Sequence, residues 1–203
     1  MKKLRLTLVV AMLAVVTVAS AQMNLGIKGG LNMSNLVVDD EITDKNMKIG
    51  FHVGLAADYD FAPNMAIQSG LFFSTKGSTL KIADNTEFTE NLMYLQLPVH
   101  LAYKLDATPG TRIVFHAGPY VAYGVGGKRS FKAGSIEGSS DKIFGDGNWQ
   151  YKPFDAGLGL GVGAEFGPVL VDIGWDMGLV NMSNRSSGNV KNQNAYLSVG
   201  YKF

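Results

Sequence analysis

Phe154-Asp155-Ala156-Gly157-Leu158-Gly159-Leu160-Gly161-Val162-Gly163-Ala164-Glu165-Phe166 alternates without a break between two kinds of residue. One set is Phe154, Ala156, Leu158, Leu160, Val162, Ala164 and Phe166. The other is Asp155, Gly157, Gly159, Gly161, Gly163 and Glu165. A period of two belongs to an extended strand, whose successive side chains point to opposite faces. A small barrel has an interior that side chains alone can fill. Turned inward, the large apolar set overfills that space. Turned outward it forms an oily band, and the glycines leave room for side chains arriving from other strands. Lipid also demands that every backbone polar group be paired, which a closed barrel achieves with no free edge. The stretch predicts a membrane-spanning strand.

The same period recurs over 25–33, 49–59, 65–73, 93–103, 113–123, 169–179 and 195–203, which makes eight strands. The connections sort by length. Segments 35–47, 77–90, 126–152 and 181–193 are long and polar, whereas 61–64, 105–110 and 167–168 are short, and the two kinds alternate along the chain. Outer-membrane barrels are built with this asymmetry. Tyr59, Phe61, Tyr103, Phe166, Tyr201 and Phe203 fall at the strand ends nearest the short turns, where an aromatic girdle belongs. The expected fold is all-β: an eight-stranded antiparallel up-and-down transmembrane β-barrel over 22–203, with short periplasmic turns and long extracellular loops.

The first 21 residues read as an address. Met1-Lys2-Lys3-Leu4-Arg5 is basic and 6–18 is apolar apart from two threonines. Ala19-Ser20-Ala21 then supplies small residues for cleavage. This is the pattern of a secretory signal peptide, 1–21, and its apolar run is too short for a membrane helix. Across all 203 residues there is no cysteine, so a disulfide scaffold and thiolate metal sites are excluded. A formal charge of +1 leaves no electrostatic footprint for nucleic acid. The 25 glycines follow no Gly-X-Y repeat.

Strand phase assigns the lumen. Lys28, Asp58, Arg112, Asp155, Glu165, Asp172 and Asp176 point inward as ion-pair candidates, with Lys104 and Lys202 on the same face. Arg112 and Glu165 lie near the periplasmic ends of adjacent strands and are expected to pair. Phe72, Tyr94, Tyr120 and Tyr196 also point inward, as an aromatic plug that obstructs a water column. His52, His100 and His116 face inward from three different strands, with no local ligand spacing, so no metal site is assigned. No histidine falls in an outer loop, and no catalytic or cofactor-binding residue is assigned. Alternate glycines on a strand are not a dinucleotide fingerprint, which needs another spacing and a following helix. Asp39-Asp40-Glu41 reads as a solvated acidic run. Phe131, Phe144, Trp149 and Tyr151 in 126–152 are candidates for contact with a protein or glycan, or for packing onto the rim.

Gly26-Ile27-Lys28-Gly29-Gly30-Leu31-Asn32, Tyr94-Leu95-Gln96-Leu97-Pro98-Val99 and Gly118-Pro119-Tyr120 occur in this order. Phe154-Asp155-Ala156-Gly157-Leu158-Gly159 and Leu197-Ser198-Val199-Gly200-Tyr201-Lys202-Phe203 follow them. In that order the segments resemble the PorT-type small outer-membrane β-barrel proteins of Bacteroidetes. The resemblance implies an outer-membrane location, eight strands and no set of catalytic residues; some relatives are linked to protein secretion. Tyr201 and Phe203 resemble the terminal signal read by the barrel-assembly machinery during insertion. The expected function is that of a monomeric structural or interaction protein with a plugged lumen and outward loops. Its expected partners are outer-membrane lipid and an extracellular or envelope protein or glycan. Two alternatives stand beside it: a narrow channel for ions or small solutes, and a component of an envelope secretion or assembly complex.

Overall fold

The computed structural model describes residues 23–38, 46–83, 86–134, 136–147, 150–185 and 188–203, and all side chains of these except 46 and 81–83. The leader 1–21, Asp39-Asp40-Glu41 and Trp149 lie outside the described residues. Nine strands follow one another: β1 (Met23–Val38), β2 (Asn46–Ala62), β3 (Met65–Ala83), β4 (Thr86–Thr108), β5 (Thr111–Ala133), β6 (Ile136–Ser140), β7 (Phe154–Phe166), β8 (Val169–Gly178) and β9 (Val190–Lys202). Eight of them close a ring in the order β1-β2-β3-β4-β5-β7-β8-β9 and back to β1, every pair antiparallel. Short β6 stands outside the ring, paired only to the far end of β5 among the described residues. This is the expected eight-stranded antiparallel up-and-down barrel.

Burial along each strand is the inverse of a soluble protein's. Leu158 and Leu160 of β7 are about half exposed, whereas Asp155 and Glu165 on the same strand are almost fully buried. Leu31, Phe51, Leu71, Leu101, Val121, Ile173 and Val199 carry the exposed apolar set around the ring. A continuous band of this kind has no stable partner in water and a natural one in hydrocarbon. Tyr59, Phe61, Tyr103, Phe166, Tyr201 and Phe203 are exposed at the end that carries the short turns. Two of those turns need glycine: Gly110 and Gly167 hold φ of 81° and 58°, a region costly for other residues.

The long connections differ from the expectation. Segment 77–90, read as a polar loop, is paired strand on both sides of residues 84–85, in register from Gly77↔Asn91 to Lys81↔Glu87 and with a shift before Ala83↔Thr86. Likewise β5 runs on to Ala133 and folds back as β6. With 19, 23 and 23 residues, β3, β4 and β5 are about twice as long as the ~10 residues that a tilted strand needs to cross a bilayer. The excess projects as a ribbon beyond the outer rim. Both of its faces meet water, so no apolar alternation marks it in the sequence.

Candidate functional site

The lumen is filled in three storeys, and different chemistry fills each. At the turn end, carboxylates and ammonium groups interlock. Lys202 Nζ lies 2.6 Å from both Asp58 Oδ2 and Glu165 Oε1. Lys104 Nζ donates to Asp60 Oδ1 at 2.6 Å and sits 3.6 Å from Asp58 and 3.8 Å from Glu165. Arg112 Nη2 reaches Glu165 Oε2 at 2.8 Å. Five strands, β2, β4, β5, β7 and β9, contribute to one network. Removing one member of such a network leaves a buried charge without its partner, at a cost of ~3–5 kcal/mol.

At mid-height lies a chamber of about 80 Å³, room for a few water molecules. Lys28 Nζ pairs with Asp172 Oδ2 there. His116 Nε2 is 2.8 Å from Asp172 Oδ1, and His100 and His116 stack with their Nδ1 atoms 2.9 Å apart. Gly161 lies under the His116 ring; a Cβ at that glycine would stand 2.6 Å from it. His52 is held on both sides, by Asn32 Oδ1 at Nδ1 and Ser198 Oγ at Nε2, each at 2.8 Å. Asn32 Nδ2 donates to the Phe51 and Thr75 carbonyls, which fixes its oxygen toward His52. Phe72 and Tyr196 flank the same imidazole edge-on. Asp176 Oδ2 accepts from Gln96 Nε2 at 2.9 Å and lies 3.8 Å from Lys76 Nζ. Among the described residues no three histidines or carboxylates converge in metal-holding geometry.

The outer end carries an apolar cap. Leu36, Leu92, Tyr94, Tyr120, Ala122, Ile143 and Met182 form one buried cluster, with Phe144, Tyr151 and Val190 packed against it. Beneath it, Tyr94 Oη donates to Met182 Sδ at 3.1 Å and Tyr120 Oη to Asp155 Oδ2 at 3.3 Å. The backbone around Ile143 and Tyr151 is tied together, Tyr151 N to Ile143 O at 2.8 Å, and tied to the next connection, Lys152 N to Met182 O at 2.8 Å. Tyr151 Oη donates to Glu90 Oε2 at 2.8 Å, and Arg129 grips the other oxygen of that carboxylate at 2.7 Å. Burial, and then the Glu90 charge, push the Tyr151 phenol well above its ordinary range.

The structure thus gathers Asp58, Arg112 and Glu165 at the turn end, Lys28, Asp172 and Asp176 at mid-height, and Asp155 under the cap. Tyr94 and Tyr120 lie in the cap cluster, and Phe72 and Tyr196 line the chamber. Of the loop aromatics, Phe144 and Tyr151 turn in to the cap, Phe144 packing edge-on to Tyr94 with ring centroids 5.4 Å apart. Phe131 stays partly exposed on the ribbon, opposite the β6 residue Gly138. Sequence reasoning missed Lys76, fully buried over the Tyr120 ring at 4.7 Å, although its strand parity already pointed inward. It also missed Leu36, Leu92, Ile143 and Met182. Only Met182 is an isolated apolar residue between polar ones; Leu36, Leu92 and Ile143 each have an apolar neighbour in the chain.

Several solved barrels are similar to this chain. The Ail attachment invasion locus protein of Yersinia pestis is 16% identical, covering 90% of this chain and 99% of that one, with a TM-score of 0.44. Neisserial surface protein A is 14% identical over 88% and 97%, with a TM-score of 0.46. OprG of Pseudomonas aeruginosa is 14% identical over 89% and 95%, with a TM-score of 0.47. No curated protein matches the chain significantly. The family model described as the outer membrane protein beta-barrel domain matches residues 19–184. A match of that extent, on a closed ring that turns its apolar side outward, means that the chain belongs to this family of barrels and resides in the outer membrane.

Proposed function

We propose that this outer-membrane barrel is a closed-lumen structural or interaction protein that meets its partners through the outer ribbon and loops. The observation that supports the reading is an ion network at one end of the lumen and a buried apolar cluster at the other. A conducting pore needs a continuous water column, and an apolar constriction opposes one by dewetting. The ribbon supplies the outward surface. Phe131 and Ile136 are exposed on it beside the Lys132–Glu137 pair, a mixture that suits contact with an extracellular or envelope protein or glycan. The resemblance to PorT-type barrels adds a finer reading, membership of an envelope secretion or assembly complex. Recording from the detergent-extracted chain in a planar bilayer tests closure. The expected trace has no stable single-channel steps. Reproducible, ion-selective steps would replace this reading with that of a narrow channel.

A further inference from the structure

The mid-barrel chamber has an excess of lone pairs. Asp172 is a carboxylate acceptor, so the proton between it and His116 sits on His116 Nε2. In the uncharged pair, His116 Nδ1 is then bare, and the proton it shares with its neighbour sits on His100 Nδ1. His100 Nε2 is therefore a bare lone pair. It is buried and has no hydrogen-bond partner. Gln96 Oε1 and Asn194 Oδ1, on the same chamber wall, are likewise buried and unpartnered, and both are acceptors. Unmade hydrogen bonds of this kind are costly in a low-dielectric interior, so three of them around one cavity point to a guest. That guest must accept electron pairs.

We propose that the chamber binds one divalent first-row metal ion through His100 Nε2 and Asp176 Oδ1, with the Gln96 amide oxygen and chamber water completing the sphere. Imidazole nitrogen with carboxylate and amide oxygen is a borderline donor set, suited to such ions. His100 and Asp176 face each other across Gly159: a Cβ there would stand 2.7 Å from His100 Nε2 and 2.9 Å from Asp176 Oδ1. The space between the two ligands exists because residue 159 has no side chain. Behind His100, the Nδ1–H donates to His116, which in turn donates to Asp172. A ligating imidazole commonly has such an outer partner to orient the ring and raise its basicity. Gln96 Nε2 holds Asp176 Oδ2, which leaves Oδ1 for the ion. His52 cannot serve, because both its ring nitrogens are already bonded.

Cobalt(II) is the probe, because its visible spectrum reports nitrogen and oxygen coordination. The full chain, extracted in detergent and stripped with chelator, is incubated with cobalt(II), desalted and assayed for metal and absorbance. Folding of each variant is verified by the heat-dependent shift in gel mobility. One tightly held ion per chain is expected, retained in His52→Gln and absent from Asp176→Asn. His116→Leu, which removes only the outer partner, should weaken binding ~10–100-fold. Gly159→Ala keeps every donor and fills the gap, so it should also lose the ion; it is the decisive variant should His100→Gln fail to fold. A wild-type chain that retains no cobalt overturns the site, as does cobalt retained equally by folded Gly159→Ala and Asp176→Asn.

Discussion

Tyr151 shows how much one phenol controls at the outer rim. Its hydroxyl joins the cap to Glu90 of β4, and its ring packs beside the buried apolar cluster. A hydrogen bond to a charged group contributes about 1.5–3 kcal/mol, so Tyr151→Phe should loosen the cap by that order. Hydrogen exchange over 141–151 measures it, and unchanged exchange would mean that the bond is dispensable. A pH dependence follows from the raised phenol. A folded-state pKa above the unfolded one gives stabilisation that is complete below the ordinary tyrosine value near 10 and disappears as pH climbs through the folded value. Wild-type exchange at the cap should therefore accelerate above about pH 10, by more than in Tyr151→Phe. At this scale the sequence was only half legible. Parity placed His100, His116 and Asp172 on the inner face. Their proton inventory needed partners 16 and 56 residues apart, which no local spacing reveals.

β7 is the element whose reading survives folding intact, because each of its faces meets a single environment along its length. Leu160 stands near its middle, pointing outward and about half exposed. A lysine there puts a charge in the middle of the lipid-facing band and should destabilise the barrel by ~2–4 kcal/mol. The same change at Gly161 should act by driving atoms into the His116 ring. Urea titration read by gel mobility separates the two positions. An unperturbed Leu160→Lys barrel would mean that β7 presents its other face to lipid. The outer halves of β3, β4 and β5 obey the opposite logic. Thr79 faces Thr89, and Glu87 faces Lys132, in antiparallel pairing that continues from the barrel. With water on both sides, polar residues are permitted at every position, and the period of two vanishes from the sequence while the strands persist. Loop length in the sequence therefore marked the outer end correctly and its secondary structure wrongly.

For the whole molecule, the proposed closure has two parts in series. The cap draws Leu36, Leu92, Ile143 and Met182 from four separate parts of the chain, and the turn-end network draws on five strands. Neither seal shares a residue with the other, so each should block flow without help. Ile143→Ser with Phe144→Ser admits water to the outer end but leaves Asp58, Glu165, Lys104 and Lys202 interlocked. Lys104→Ala with Glu165→Ala removes one ammonium and one carboxylate together, which spares the interior the larger cost of an unmatched charge. That pair opens the turn end beneath an intact cap. In planar bilayers each double variant should be as silent as the parent, and only the combined quadruple variant should conduct, its folding verified by the heat-dependent gel shift. Steps from the serine pair alone would locate the barrier entirely in the cap. Steps from the alanine pair alone would locate it in the ion network. A quadruple variant that folds and stays silent would assign closure to the ring of side chains between them, where Tyr196, Phe72 and the histidines already crowd the chamber.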